Sequence, residues 1–126
     1  MIMLKPTEMP QGEVKRVHKP WGYEIWWASS EKYVGKILHI NKNHSLSYQF
    51  HSVKDETIYV YSGEIMLESE EIGKPKEIIR LLPGDARRIR PLTRHRMTAI
   101  AESDLIEVST PEVDDLVRLE DNYGRF

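Results

Sequence analysis

The sequence predicts an all-β fold, a sandwich or barrel built from short strands. Aromatic and β-branched runs recur along it, and Gly, Pro and Asn punctuate them at regular intervals. Several runs alternate apolar and polar residues, the period of a half-buried strand. Only residues 111–115 carry the Pro and acidic residues of a helix start.

Taken in order, residues 23–28 are aromatic and β-branched. Residues 33–40 and 45–50 follow, separated by Asn41-Lys42-Asn43, a turn composition. Residues 57–61 read as a strong strand. Ser62-Gly63 reads as a turn into 64–68, which alternates in polarity. Gly73-Lys74-Pro75 makes a loop, and residues 77–82 lead to the turn Pro83-Gly84-Asp85. Residues 86–89, 96–101 and 104–108 complete the set. Residues 111–115 either begin a helix or turn the chain into a final strand over 116–120. The first twenty residues hold few apolar anchors. Residues 1–16 are read as an N-terminal arm or edge strand, and 17–126 as a single domain.

Composition narrows the function classes. The formal net charge is −2, from 18 Lys and Arg against 20 Asp and Glu. A dedicated nucleic-acid binder would show a basic excess. There is no cysteine, so any metal must sit on nitrogen and oxygen ligands. No stretch approaches the about 18 apolar residues of a membrane span. Met1-Ile2-Met3-Leu4-Lys5-Pro6 lacks a signal-peptide pattern, which predicts a cytoplasmic protein.

Four residues stand out: Gln49, His51, Glu56 and His95. Imidazole, amide oxygen and carboxylate together form a divalent-metal ligand set. Side chains at i and i+2 of a strand share a face, so Gln49 and His51 look into one space. Glu56 can return to that space after a short turn, and His95 must arrive on a later strand. A lone His in a β protein is more often a hydrogen-bonded core or surface residue than a ligand. His18 and His44 have no ligand-like companion. Lys36 and His39 have opposite parity on one strand, so only one of them can face the cavity.

These segments resemble the two cupin motifs. The first has the form His-x-His-x4-Glu with a later Gly. Here it stands as Gln49-x-His51-x4-Glu56, with Gly63 following. The second runs from Pro83-Gly84-Asp85 to His95. Gln in place of the first His resembles the phosphomannose isomerase branch. Lys19-Pro20-Trp21-Gly22-Tyr23-Glu24 is similar to the opening motif of that branch, and residues 33–40 and 46–49 fit the strands before the site. Residues 114–121 and Tyr123-Gly124-Arg125 are similar to its C-terminal signature. Over about residues 17–125 the chain resembles the C-terminal isomerase domain of type II, bifunctional mannose-6-phosphate isomerases.

The resemblance implies a small double-stranded β-helix, the jelly-roll barrel of cupins. It implies one divalent metal, zinc first and Mn, Fe, Co or Ni as alternatives, on Gln49, His51, Glu56 and His95. It also implies interconversion of mannose 6-phosphate and fructose 6-phosphate. Lys36 is the expected base, with His39 competing. The basic cluster Arg87, Arg88, Arg90, Arg94 and Arg96, with Lys54, offers phosphate ligands. Lys54, Arg94 and Arg96 are favoured, the two arginines because they flank His95. Trp21, Tyr23, Trp26 and Trp27 either stack on a sugar or build core and interface. Barrel edges predict a homodimer.

The sequence also departs from the family. Ser52, Val53 and Thr57 stand where histidines are common, and the Pro-x-Gly before the second-motif His is shifted to Arg90-Pro91-Leu92. The chain is too short to hold the guanylyltransferase domain of the bifunctional relatives. Two rivals follow: a non-catalytic cupin that binds a sugar phosphate or nucleotide sugar, and another metal-dependent cupin enzyme such as an oxygenase.

Overall fold

A computed structural model describes residues 13–126. The first twelve residues of the expected arm lie outside the described residues. Nine strands follow: β1 (Lys15–Lys19), β2 (Gly22–Ser29), β3 (Val34–Ile40), β4 (Tyr48–His51), β5 (Glu56–Glu70), β6 (Glu77–Leu81), β7 (Ala86–Ile89), β8 (Arg94–Ser109) and β9 (Leu116–Glu120). Lys15 and Arg16, at the end of the expected arm or edge strand, pair with β2. All pairings are antiparallel. The order β1-β2-β3-β8-β4-β9 makes one path, and β5 joins β6, β7 and β8. The sheet curls on itself around an apolar interior. No helix among the described residues is long and apolar enough to cross a membrane.

The helical option at residues 111–115 is not realised; the segment is a loop leading into β9. Two expected strand breaks are bends instead. Residues 57–61 and 64–68 belong to the single strand β5, and 96–101 and 104–108 to β8. The register between them slips at Ser62 and Glu64, as bulges do when they bend a strand without ending it. Gly63 takes the left-handed φ of 91° there. The Ser103 hydroxyl accepts from the Glu64 N–H at 3.0 Å and clips the bend.

Period-two alternation then sorts each strand. Ile58 and Val60 on β5, Met97 and Ala99 on β8, and Leu38 and Ile40 on β3 point inward and form the core with Trp21, Leu46, Ile65, Leu67, Leu81, Ile89 and Leu105. The same inward rows continue into polar residues: Lys36 before Leu38, Glu56 before Ile58, His95 before Met97 and Glu107 after Leu105. All four are buried. The interior is therefore greasy along part of its length and charged where these row ends gather.

A Cβ at Gly63 would collide with the Ser103 hydroxyl and the Glu102 carbonyl, in a φ that L-residues rarely adopt. Gly63→Ala is expected to lower stability by about 1–3 kcal/mol. Urea unfolding checks this, as a lower midpoint at an unchanged slope.

Candidate metal and ligand site

Three of the polar row ends, Lys36, Glu56 and Glu107, line a cavity of about 190 Å³, and His95 lies behind Glu56. Gln49, His51, Lys54, Glu56 and Lys36 all reach it, together with Lys19, Glu24, Trp26, Glu107, Arg118 and Arg125. β4 pairs with β8 through Gln49 opposite His95, and with β9 through Gln49 opposite Arg118 and His51 opposite Leu116. Gln49 thus sits between an imidazole and a guanidinium on neighbouring strands.

His95 is only 1% exposed. Its Nδ1–H donates to the Thr93 carbonyl at 2.9 Å, which leaves Nε2 as the lone-pair nitrogen. That nitrogen is buried and makes no hydrogen bond. It lies 3.2 Å from Glu56 Oε1. Two atoms bound to one cation at about 2.1 Å each would stand about 3 Å apart. A lone pair facing a carboxylate oxygen at this spacing, in the dry interior, fits a shared cation.

His51 is oriented differently. Its Nδ1–H donates to Asp115 Oδ1 at 2.8 Å, so Nε2 is the free nitrogen. Asp115 in turn accepts from the backbone N–H groups of Val53 and Lys54 at 2.7 and 2.9 Å. This is the carboxylate–imidazole support found behind metal-binding histidines. Burial, helped by the Lys54 ammonium, pulls the His51 imidazole below its ordinary pKa against the opposing carboxylates of Glu56 and Asp115. The ring is held neutral, as a ligand must be. The His51 and His95 ring centres are 6.2 Å apart. Among the described residues no three His, Asp or Glu side chains converge as a finished ion site. The donor set fits a metal through the His95–Glu56 pair; Gln49 and His51 would complete it.

A fixed cation already touches Glu56, one of the expected ligands. Lys54 Nζ lies 3.2 Å from Glu56 Oε2 and 3.1 Å from Glu107 Oε2. Burial disfavours the ammonium, but the Glu107 and Glu56 carboxylates outweigh it and push the Lys54 pKa up. The two acids separate. Burial pushes the Glu107 carboxyl up, whereas the Lys54 ammonium holds Glu56 well below the usual range despite its burial. Lys54, expected among the phosphate ligands, is held between these two carboxylates.

The other expectations divide along strand parity. Lys36 faces the cavity, its Nζ 3.3 Å from Glu24 Oε1 and 4.4 Å from the centre of the Trp26 ring. His39 faces away, stacked on Tyr23 at 4.8 Å and bonded to Asp104 at 2.7 Å. Arg94 and Arg96 also miss the cavity. Arg94 is exposed beside a shallow surface depression with Glu70 and Lys74. Arg96 pairs with Glu68 at 2.8 Å and Glu120 at 3.4 Å over the Tyr48 ring. The physical reason is simple: the strand neighbours of an inward His95 must point outward. Arg87, Arg88 and Arg90 are bound to Glu77, Asp55 and Glu71 on the surface. His44 shares a 2.7 Å hydrogen bond with the Tyr123 hydroxyl. Trp21 is core, and Trp27 is 45% exposed.

Sequence reasoning gave no role to Asp115, Glu107, Glu24, Lys19, Arg118 or Arg125. Glu107 was within reach, because an inward Leu105 requires an inward Glu107. The others come from a loop, the strands β1, β2 and β9, and the C-terminal turn, whose approach to the cavity no local pattern announces.

Comparison with known proteins agrees with this architecture. A family model described as "Mannose-6-phosphate isomerase C-terminal" matches residues 8–121. The chain belongs to that family. No curated protein matches it. KdgF from Halomonas sp. superposes with a TM-score of 0.68 at 24% identity, over 82% of this chain and 89% of that one. An RmlC-like cupin from Shewanella frigidimarina gives 0.67 at 17% identity, over 83% and 88%. Oxalate decarboxylase from Bacillus subtilis gives 0.74 at 13% identity, covering 85% of this chain but 30% of that one. These likenesses show that the mannose-6-phosphate isomerase C-terminal domain in this chain has the cupin fold.

Two outcomes follow from the charges. Lys54→Met leaves two buried carboxylates without their cation and should destabilise the protein by about 3–5 kcal/mol; adding Glu107→Gln should recover part of the loss, read by urea unfolding. Burial favours neutral Glu24, but Lys36, Lys19 and the Trp26 indole N–H hold its carboxyl below its ordinary value of 4.5. Its stabilising share is present in full above about pH 4.5 and is lost as pH falls through the depressed folded value. The stability gap between the wild type and Glu24→Gln should therefore be wider at about pH 6 than at about pH 3.

Proposed function

We propose that this chain is a metal-dependent sugar-phosphate isomerase that interconverts mannose 6-phosphate and fructose 6-phosphate. The observation that carries the reading is the buried His95–Glu56 pair, with its unmated Nε2, at the polar end of a barrel belonging to this family. Gln49, His51, Glu56 and His95 would hold one divalent ion, with Asp115 fixing the His51 ring. Zinc is the ion proposed, and Mn, Fe, Co or Ni suit the same donors. A fold neighbour, oxalate decarboxylase from Bacillus subtilis, is described with Mn(II) centres, which supports a divalent metal in this barrel. When bound, such an ion supplies positive charge to the sugar oxygens on C1 and C2.

The remaining steps fall to the chain. From mannose 6-phosphate, a proton leaves C2 and returns to C1, while a hydroxyl proton moves from O2 to O1. Lys36, aimed into the cavity and steadied by Glu24 and the Trp26 face, is the proposed carrier of the carbon proton. Trp21, Leu38 and Leu46 wall the cavity and exclude water on that side. A cytoplasmic homodimer belongs to the same proposal.

A second reading rests on Lys54. Its ammonium already neutralises Glu56 and Glu107, which suits a cupin that binds a sugar phosphate without turning it over. Exchange at C2 decides between them. The isomerase should incorporate deuterium from heavy water into mannose 6-phosphate, and Lys36→Met should abolish it; metal-loaded protein that binds the sugar without exchange would sink the isomerase reading. Asp115→Asn should weaken metal affinity about 10–100-fold, measured by competition with a chelating dye. His51→Ala and His95→Ala should both lose the ion. Full occupancy in both would remove the site.

A further inference from the structure

Five cationic side chains, Lys19, Lys36, Lys54, Arg118 and Arg125, line the cavity with the carboxylates Glu24, Glu56, Glu107 and Asp114. Lys54 is taken by Glu56 and Glu107, Lys36 by Glu24, and Arg125 by Asp121, which accepts from Nε and Nη2 at 2.9 Å each. Lys19 and Arg118 also line the cavity, and neither has an ion pair among the described residues. Arg118 Nε is buried with no hydrogen-bond partner.

These cations sense one another. Burial draws the Lys19 pKa down, and Lys36, Arg125 and Arg118 add to it against the attraction of Glu24. Burial likewise draws Arg118 down, with Arg125 repelling it and Asp121 opposing. Like charges that converge in a half-buried wall disfavour one another unless an anion joins them. Arg118 stands opposite Gln49 in the β4–β9 ladder, and Gln49 stands opposite His95. Neighbouring strands are about 5 Å apart. The Arg118 and His95 backbones are therefore two strand spacings, about 10 Å, apart, a gap that the Arg118 side chain and a single sugar phosphate together span.

We propose that Lys19, Arg118 and Arg125 form an oxyanion subsite in the cavity wall, which takes the acidic group of a sugar whose other end lies at the His95–Glu56 pair. This rests on the sugar-phosphate reading for the direction in which the ligand lies, and it replaces Arg94 and Arg96 as the anion ligands. Arg118 offers its unpaired Nε–H. Arg125, steadied by Asp121, and Lys19 supply further charge and donors. A phosphate monoester and a sugar carboxylate share this chemistry.

The test is calorimetric titration of the purified full-length chain with inorganic phosphate and, separately, with glucuronate. Saturable one-to-one binding is expected, weakened about tenfold or more in Arg118→Gln and in Lys19→Gln. Arg80→Gln, on the outer surface beside Glu64, should bind as the wild type does. The anion bound more tightly by the wild type identifies the acidic group. Lys19→Gln, on a different strand, decides the matter if Arg118→Gln does not fold. Wild-type affinity in the folded cavity variants, no saturable binding to the wild type, or an equal loss in Arg80→Gln would each overturn the subsite. Loss of phosphate binding in the variants of a protein that shows no C2 exchange would keep the subsite and reject the isomerase.

Discussion

The antiparallel pairing of β5 with β8 runs from Glu56 opposite Ser109 to Glu70 opposite Arg94, and both the core and the cavity depend on its register. Each strand is long enough to serve two parts of the curled sheet, and the bulges near Ser62 let both bend together while most of the backbone ladder stays paired. Because side-chain direction repeats every second residue, a one-residue slip of β8 along β5 would turn Met97 and Leu105 outward along with His95 and Glu107. The register that fills the core is the register that assembles the polar site. Gly63 and the Ser103 hydroxyl therefore act on the cavity from a distance, by fixing the bend that keeps the halves of both strands in phase.

Burying so much charge inside a small barrel is costly, and the structure offsets the cost by pairing. Lys54 between Glu56 and Glu107 is the centre of this arrangement. Lys54 leaves Glu56 firmly ionised, whereas burial, aided by the Glu56 charge, drives Glu107 toward its protonated form against the pull of Lys54. Two acids of the same chemistry thereby acquire different characters within one cavity, as unlike surroundings impose on paired carboxyl groups. The arrangement also makes Glu56 a shared resource: one oxygen faces Lys54 and the other faces the His95 nitrogen.

Much of this was legible in the sequence, for reasons specific to β structure. Alternation placed Gln49 beside His51 and showed that Lys36 and His39 could not share a face; the fold confirms both statements of parity. Punctuation was less faithful. Ser62-Gly63 has turn composition, but composition cannot distinguish a chain reversal from a bulge that bends a continuing strand. Arg94 and Arg96 were drawn to the site by their closeness to His95 in sequence, although strand parity sends them outward. Arg118 and Lys19 were hidden for the opposite reason. They are far from the motif residues in the chain and reach the cavity only because β9 pairs with β4 and the β1–β2 hairpin closes one wall.

Trp26 has a consequence of its own. The ring is 4% exposed, lines the cavity, donates from Nε1 to Glu24 at 2.8 Å and lies under the Lys36 ammonium. An indole held between a fixed anion and a fixed cation reports the local electric field through its emission. Any ligand that draws Lys36 from the ring, or screens Glu24, changes that field. The barrel thus carries a built-in fluorescent gauge of occupancy, placed on the cavity wall by the same alternation that built the cavity.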